Sequence, residues 1–129
     1  MLFARQRVNP LDAVEPVATI EDLGHMQAEV REIEVKEPVA EYLLRVVART
    51  RDHRDVELGA SPRGALALFR AAQARALLGG RAYVSPDDVQ ALAGPVLGHR
   101  LVLTPEARYG GRGAEGVLRE VVQGLRVPV

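Results

Sequence analysis

Two Ser-Pro pairs constrain the fold of this chain more than any other feature, because each is a strong start signal for a helix. Ser61-Pro62 and Ser85-Pro86 both place an N-cap hydroxyl directly before a proline that fits the first helical turn. The helix that follows the first pair is rich in alanine and is succeeded by Gly79-Gly80, a typical stop signal. The pattern predicts two helices with a short connection. The small side chains predict that the first helix lies centrally, where its neighbours can approach closely.

Apolar residues at helical spacing predict further helices on both sides of this pair. One begins at the N-cap Thr19, with Asp22 in the matching capping position. A second opens at Pro38 and runs to about His53, and a last one follows the glycines at 110, 111 and 113. The fold class predicted is therefore all-α, a small bundle of four to five helices. The residues expected in or near its core are Leu23, Val30, Leu43, Val47, Leu66, Phe69, Val89, Leu92, Val96 and Leu118.

One short two-stranded β pairing is the non-helical element that the sequence favours. Leu101-Val102-Leu103 has the composition of a short strand, and its expected partner is the segment from Ile33 to Val35. Residues 55–60 are expected to form a loop. Gly94-Pro95 is expected to bend or end the helix that contains it.

Composition excludes several classes of function. The 17 basic and 17 acidic side chains cancel, which argues against a dedicated nucleic-acid binder. The chain has no cysteine, so it has no disulfides and no thiolate metal sites. His25, His53 and His99 are far apart and follow no metal-binding pattern, so no metal site is expected. The first fifteen residues form no signal-peptide core and no apolar run reaches membrane-spanning length, so we expect a cytoplasmic protein without a membrane partner.

Arg63 breaks a local rule of helix electrostatics. The helix after Ser85-Pro86 has Asp87 and Asp88 in its first turn, where the helix dipole favours negative charge, whereas the helix after Ser61-Pro62 has Arg63. A cation there is unfavourable by about 0.3–1 kcal/mol. Such departures are expected at functional sites, and free backbone N–H groups beside a forked guanidinium suit phosphate oxygens.

Two interpretations of Arg63 follow from the residues alone. In the first, the arginine binds an anion, and the flanking Gly59 and Gly64 keep the site open to close approach. In the second, it forms an ion pair with a nearby acid, Glu57 or Asp55.

A resemblance to a known family bears on this choice. The stretch Leu58-Gly59-Ala60-Ser61-Pro62-Arg63-Gly64 is similar to the sensor-2 motif of MoxR AAA+ ATPases. Further stretches resemble the same family in the same order: Asn9-Pro10-Leu11, Glu15-Pro16-Val17, residues 42–53, residues 80–89 and residues 96–101. The resemblance extends from Arg5 to Ala107, which makes it far more specific than a single motif.

The resemblance implies an AAA+ lid, with residues 1–18 as a hinge from an ATPase core, residues 19–109 as the helical lid, and residues 110–129 as a flexible joint and C-terminal helix. It implies that Arg63 is the sensor-2 residue, which reaches the γ-phosphate of ATP, and that Ser61 and Pro62 border the nucleotide. It also implies the use of ATP and Mg²⁺ by the full-length protein, and ATP-driven remodelling or chaperone-like action. The implied partners are the ATPase core in cis, the neighbouring subunits of a hexameric ring, and a protein with a von Willebrand factor type A domain.

The sequence departs from the family in lacking the catalytic half. It contains no G-x-x-x-x-G-K-[ST] phosphate loop, its sole lysine is Lys36, and no acidic pair of Walker B type is present. The expectation is a lid cut from a longer chain, or a stand-alone remnant, that is inactive alone and binds no nucleotide tightly. The competing hypothesis is a stand-alone helical module that docks on protein or nucleic acid through an arginine-rich face, formed by Arg45, Arg49, Arg51 and Arg54 with Glu41.

Overall fold

The structure, a computed structural model, describes residues 13–128. These residues form a helical bundle with one two-stranded sheet, which confirms the predicted class. The elements are α1 (Ile20–Glu32), α2 (Glu37–Arg51), β1 (Val56–Leu58), α3 (Pro62–Leu78), α4 (Pro86–Leu97), β2 (Val102–Leu103), α5 (Pro105–Tyr109) and α6 (Ala114–Gln123). None of these described helices is long and apolar enough to cross a membrane. Most of the expected hinge, including Asn9-Pro10-Leu11, lies outside the described residues.

The helix starts follow from the capping residues that the sequence supplies. At the start of α1, the Thr19 hydroxyl accepts a hydrogen bond from the Asp22 N–H at 3.1 Å, and the Asp22 carboxylate accepts one from the Thr19 N–H at 2.8 Å. This reciprocal pair satisfies two N–H groups that have no partner within the helix. Ser61 caps α3 through a single bond, its hydroxyl accepting from the Gly64 N–H at 3.4 Å. The N-caps predicted at Thr19 and Ser61 are therefore confirmed.

Helix α3 lies at the centre of the bundle, as its alanine content predicts. Its small buried residues allow α2 and α4 to pack closely on either side, and α6 completes the same core. The largest fully buried hydrophobic side chains come from four different helices: Tyr42, Val46, Leu68, Val89, Leu97, Val117 and Leu118.

Asp88 is the one buried carboxylate of the described residues, with 2% of its surface exposed. Arg81 donates to both of its oxygens, at 2.7 and 2.8 Å, and Arg75 lies 3.2 Å away. Asp88 also accepts from the backbone N–H and the hydroxyl of Ser85, both at 2.9 Å. The hydrogen bonds from Arg81, aided by those from Ser85, hold the pKa of Asp88 well below its usual range. This carboxylate ties the end of α3 to the start of α4.

The predicted partner of the strand near Leu103 is wrong. Strand β2 pairs antiparallel with β1, with Val56 opposite Leu103 and Leu58 opposite Val102. The segment from Ile33 to Val35 instead forms an isolated parallel bridge between Glu34 and Tyr83. The expected loop at residues 55–60 thus contains a strand. Burial explains why β2 pairs with β1, because Val56 and Leu103 share a small apolar cluster with residues from α5 and α6.

Other expectations also need correction. Of the two alternatives for Gly94-Pro95, to bend or to end the helix, the second is wrong, since α4 continues to Leu97. Residues 91 and 95 are exposed, so solvent can satisfy the carbonyl that proline leaves without a partner. Leu23 and Leu66 lie outside the core, with 47% and 67% of their surfaces exposed. Apolar spacing predicts these helices correctly, but it does not define how much of each apolar face a neighbour covers. The short helix α5 is not anticipated by any periodic pattern.

Candidate functional site

The segment that leads into α3 is bonded to the last turn of α2. Thr50 is fully buried, and its hydroxyl accepts a hydrogen bond from the Ala60 N–H at 2.9 Å while donating to the Val47 carbonyl at 2.6 Å. The Nε of Arg51 donates to the Ala60 carbonyl at 2.9 Å. Both backbone polar groups of Ala60 are therefore held by α2, and this fixes where α3 begins.

Gly59 is required by the close approach of this segment to α2. A Cβ atom at residue 59 would lie 2.6 Å from the Cγ, 2.7 Å from the Cα and 2.8 Å from the backbone N of Arg51. A Cβ at Gly64 would instead make ordinary contacts, the nearest at 3.4 Å to the Leu97 side chain. Gly59 is therefore explained by close packing against Arg51 and not by an open anion site. At residue 64 there is room for a Cβ atom, so packing does not require a glycine there.

The two glycines therefore provide a matched pair of substitutions. Gly59→Ala should reduce the free energy of unfolding by about 1–3 kcal/mol, because the methyl group meets backbone atoms that cannot move aside independently. Gly64→Ala should be neutral or stabilising by up to about 1 kcal/mol, because alanine is the better helix former and the space accepts it. Urea denaturation of the two variants measures both effects. Equal destabilisation by both would contradict the assigned contacts.

Arg63 is the second residue of α3, and its side chain is exposed. Among residues 13–128 it forms no ion pair and no side-chain hydrogen bond. Asp55, one expected partner, pairs instead with Arg112 at 2.8 Å and with Arg54 at 3.7 Å. Glu57, the other, is exposed in β1 and takes part in none of the ion pairs formed by these residues. The described structure thus contains neither of the two ion pairs proposed for Arg63.

Ser61 and Pro62, also expected at the site, lie beside Arg63 and are exposed. The Ser61 hydroxyl is occupied as the N-cap of α3. The first intrahelical bond of α3 runs from the Ala65 N–H to the Ser61 carbonyl. The N–H of Arg63 comes before it and has no acceptor within the helix, so it can bind an acceptor from outside.

Two further arginines lie beside the start of α3. Arg51 reaches the Ala60 carbonyl. Arg100 follows α4, and its Cδ lies 3.6 Å from the position that a Cβ of Gly64 would take. Sequence reasoning placed Arg51 only in a general arginine face and gave Arg100 no role. The available signal for Arg100 was its place in the family-like stretch of residues 96–101.

This arrangement offers hydrogen-bond donors and positive charge, which together suit an anion. The described residues contain no group of three or more histidine, aspartate or glutamate side chains placed to hold a metal ion. The donors and charges at this helix start are of the kind that bind a phosphate group in other proteins.

Comparison with known proteins shows the family and the fold of this chain. A family model described as AAA lid domain matches residues 48–121. The protein YeaC of Bacillus subtilis, itself uncharacterised, is 43% identical over the whole chain, which spans 40% of its length. Chaperone MoxR1 of Mycobacterium tuberculosis is 35% identical over 98% of the chain, which spans 36% of its length. A crystal structure from Cytophaga hutchinsonii, provisionally assigned as an ATPase, superposes on 98% of the chain and 41% of its own with a TM-score of 0.87 at 23% identity, which shows a shared fold.

Proposed function

This chain belongs to the AAA lid domain family, and from that membership we propose that it closes over ATP bound by the core of a MoxR-type AAA+ ATPase. The observation that carries the proposal is the exposed Arg63 at the start of α3, without an acidic partner among the described residues. A cation at a helix start is unfavourable unless an anion approaches it. The γ-phosphate of ATP is such an anion.

In this proposal Arg63 acts as the sensor-2 residue. Lid closure brings its guanidinium to the γ-phosphate, where two parallel N–H donors can bind two oxygens. Ser61 and Pro62 then border the nucleotide from the same turn. The core supplies the phosphate loop and holds Mg²⁺ in the complete protein. Closure completes the site, and hydrolysis reopens it.

We further propose that the complete protein is a hexameric ring with chaperone-like remodelling activity. The support is the sequence identity to a relative named as a chaperone. A protein with a von Willebrand factor type A domain is the proposed partner of the ring. The alternative of a stand-alone interaction module gains no support from the family match.

The isolated chain gives a direct test. Without a phosphate loop, it should bind Mg²⁺-ATP more weakly than about 0.1 mM and should hydrolyse none, because the backbone N–H groups that cradle the phosphates belong to the core. Isothermal titration calorimetry and a phosphate-release assay measure both properties. A dissociation constant in the low micromolar range for the chain alone would contradict the proposal that the core supplies most of the nucleotide binding.

A further inference from the structure

The first turn of α3 is exposed on the side of Pro62 and Arg63 and buried on the side of Gly64 and Ala65. Successive residues of a helix are about 100° apart around its axis. Pro62, Arg63 and Gly64 therefore cover about 200°, and Ala65 points in the remaining direction. Ala65 and Gly64 are buried, whereas Pro62 and Arg63 are exposed. The direction of Arg63 thus lies between that of Pro62 and that of Gly64.

Arg51 and Arg100 lie on the two flanks of that direction. Arg51 lines the groove between α2 and α3 together with Pro62, so it lies on the Pro62 side. The side chain of Arg100 passes the backbone of Gly64, so it lies on the opposite side. The three arginines come from α2, from α3 and from the turn after α4, and they surround the start of one helix.

The two flanking arginines are tethered in the same way. The Nε of Arg51 donates to the Ala60 carbonyl at 2.9 Å, and the Nε of Arg100 donates to the Val96 carbonyl at 3.2 Å. Neither forms an ion pair with the residues from 13 to 128, and their terminal Nη groups donate to none of them. A guanidinium held at Nε loses less conformational freedom when its remaining N–H groups bind an oxygen.

Three cations around one helix start repel one another and oppose the helix dipole unless an anion is present. The chain has 17 acidic residues, yet none pairs with these three in the described structure. A triphosphate carries several charged oxygens, so it can offset more than one of these positive charges.

We infer that Arg51 and Arg100 bind phosphate oxygens of the nucleotide together with Arg63, so that the lid contacts the triphosphate through three arginines. The inference rests on the proposed function and deepens it. The ligand is a nucleoside triphosphate, and the contribution of each flanking arginine grows with the number of phosphates.

The experiment uses a complete ATPase that carries this lid, with Arg51→Met and Arg100→Met as single variants. Methionine keeps an apolar stem where arginine packs. The hydrogen bond from the Ala60 N–H to Thr50 remains in Arg51→Met and continues to hold the start of α3. Arg108→Met, at an exposed arginine of α5, is the matched control. Dissociation constants for ATP, ADP and AMP are measured at a temperature where thermal melts show every variant folded.

Each flanking variant should weaken ATP binding by about 10-fold or more, in line with the loss of a charge-assisted hydrogen bond, with a smaller effect on ADP and little on AMP. The control should bind all three as the parent does. Unchanged ATP binding in both variants, or equal losses for ATP, ADP and AMP, overturns the inference. So does weakened binding of a single-stranded oligonucleotide with normal ATP binding, which would assign the cluster to a nucleic-acid backbone.

Failure of the inference is distinguishable from failure of the proposed function. If Arg63→Ala impairs turnover while the flanking variants bind ATP normally, Arg51 and Arg100 are structural and the lid function stands. If Arg63→Ala has no effect either, the proposed function fails. Where Arg51→Met does not fold, Arg51→Lys replaces it, because lysine keeps the charge but cannot form the forked contact. Normal ATP binding by that variant and by Arg100→Met overturns the inference.

Discussion

In a complete ATPase that carries this lid, Arg63→Ala should reduce ATP turnover by up to about 10³-fold while leaving the fold intact. Arginines that contact a transferring phosphoryl group contribute on the order of 10³–10⁵ in rate in related enzymes, and an arginine of the same subunit is expected at the lower end. The lid itself should be unchanged or more stable by about 0.3–1 kcal/mol, because a cation leaves a helix start. Turnover and melting temperature are measured on the same variant.

The conservative variant sharpens this test. Arg63→Lys should restore only part of the lost rate, since an ammonium cannot bind two phosphate oxygens in the forked geometry of arginine. If Arg63 were an ion-pair partner, the pattern would reverse, with reduced stability and normal turnover. That result would remove Arg63 from the site.

The largest effect on stability is expected from Asp88→Asn, which should reduce the free energy of unfolding by about 3 kcal/mol. The substitution removes the charge that Arg81 binds at 2.7 and 2.8 Å and leaves two arginines without their carboxylate. Because both arginines retain contact with solvent, the loss falls at the lower end of the range for buried ion pairs. Asp87→Asn is the matched control, since Asp87 is an exposed neighbour in the same helical turn.

The same carboxylate predicts a pH dependence. The pKa of Asp88 is lower in the folded chain than its ordinary value of about 3.9, so folding favours the charged form. Its contribution to stability is complete above about pH 4 and is lost as the pH falls further toward the folded pKa. Denaturation between pH 7 and pH 2 should therefore show a steeper acid loss in the parent than in Asp88→Asn. Parallel profiles would contradict the assigned role.

The parts of the fold that the sequence predicts are those decided by local chemistry. Thr19, Ser61 and Ser85 start helices because each has its capping partner within three residues. The strand pairing was missed because it depends on burial against α5 and α6, far along the chain. A three-residue strand carries too little pattern to specify its partner.

The residues of the candidate site also differ in whether local sequence chemistry can predict them. Arg63 is detectable from sequence because it conflicts with the helix dipole at its own position. Arg51 and Arg100 have no such local conflict, and only the packing of α2, α3 and α4 brings them to the same turn. The sequence singles out Gly59 beside the site, but it does not show why glycine is needed there. Glycine is needed because the Arg51 backbone lies too close for a Cβ atom, and only the folded structure brings the two residues together.

Because Thr50 and Arg51 both bond to Ala60, the position of Arg63 does not depend on the length of the loop that precedes Ala60. Since both backbone groups of Ala60 are bonded to the end of α2, residues 52–59 form a loop whose two ends are held together by these bonds. Extra residues inserted after Asp52 would enlarge this loop at a cost that grows only slowly with length. Arg63 would stay at the start of α3, so this turn is where we expect the chain to accept an inserted peptide or a fluorescent tag without displacing α3 from α2.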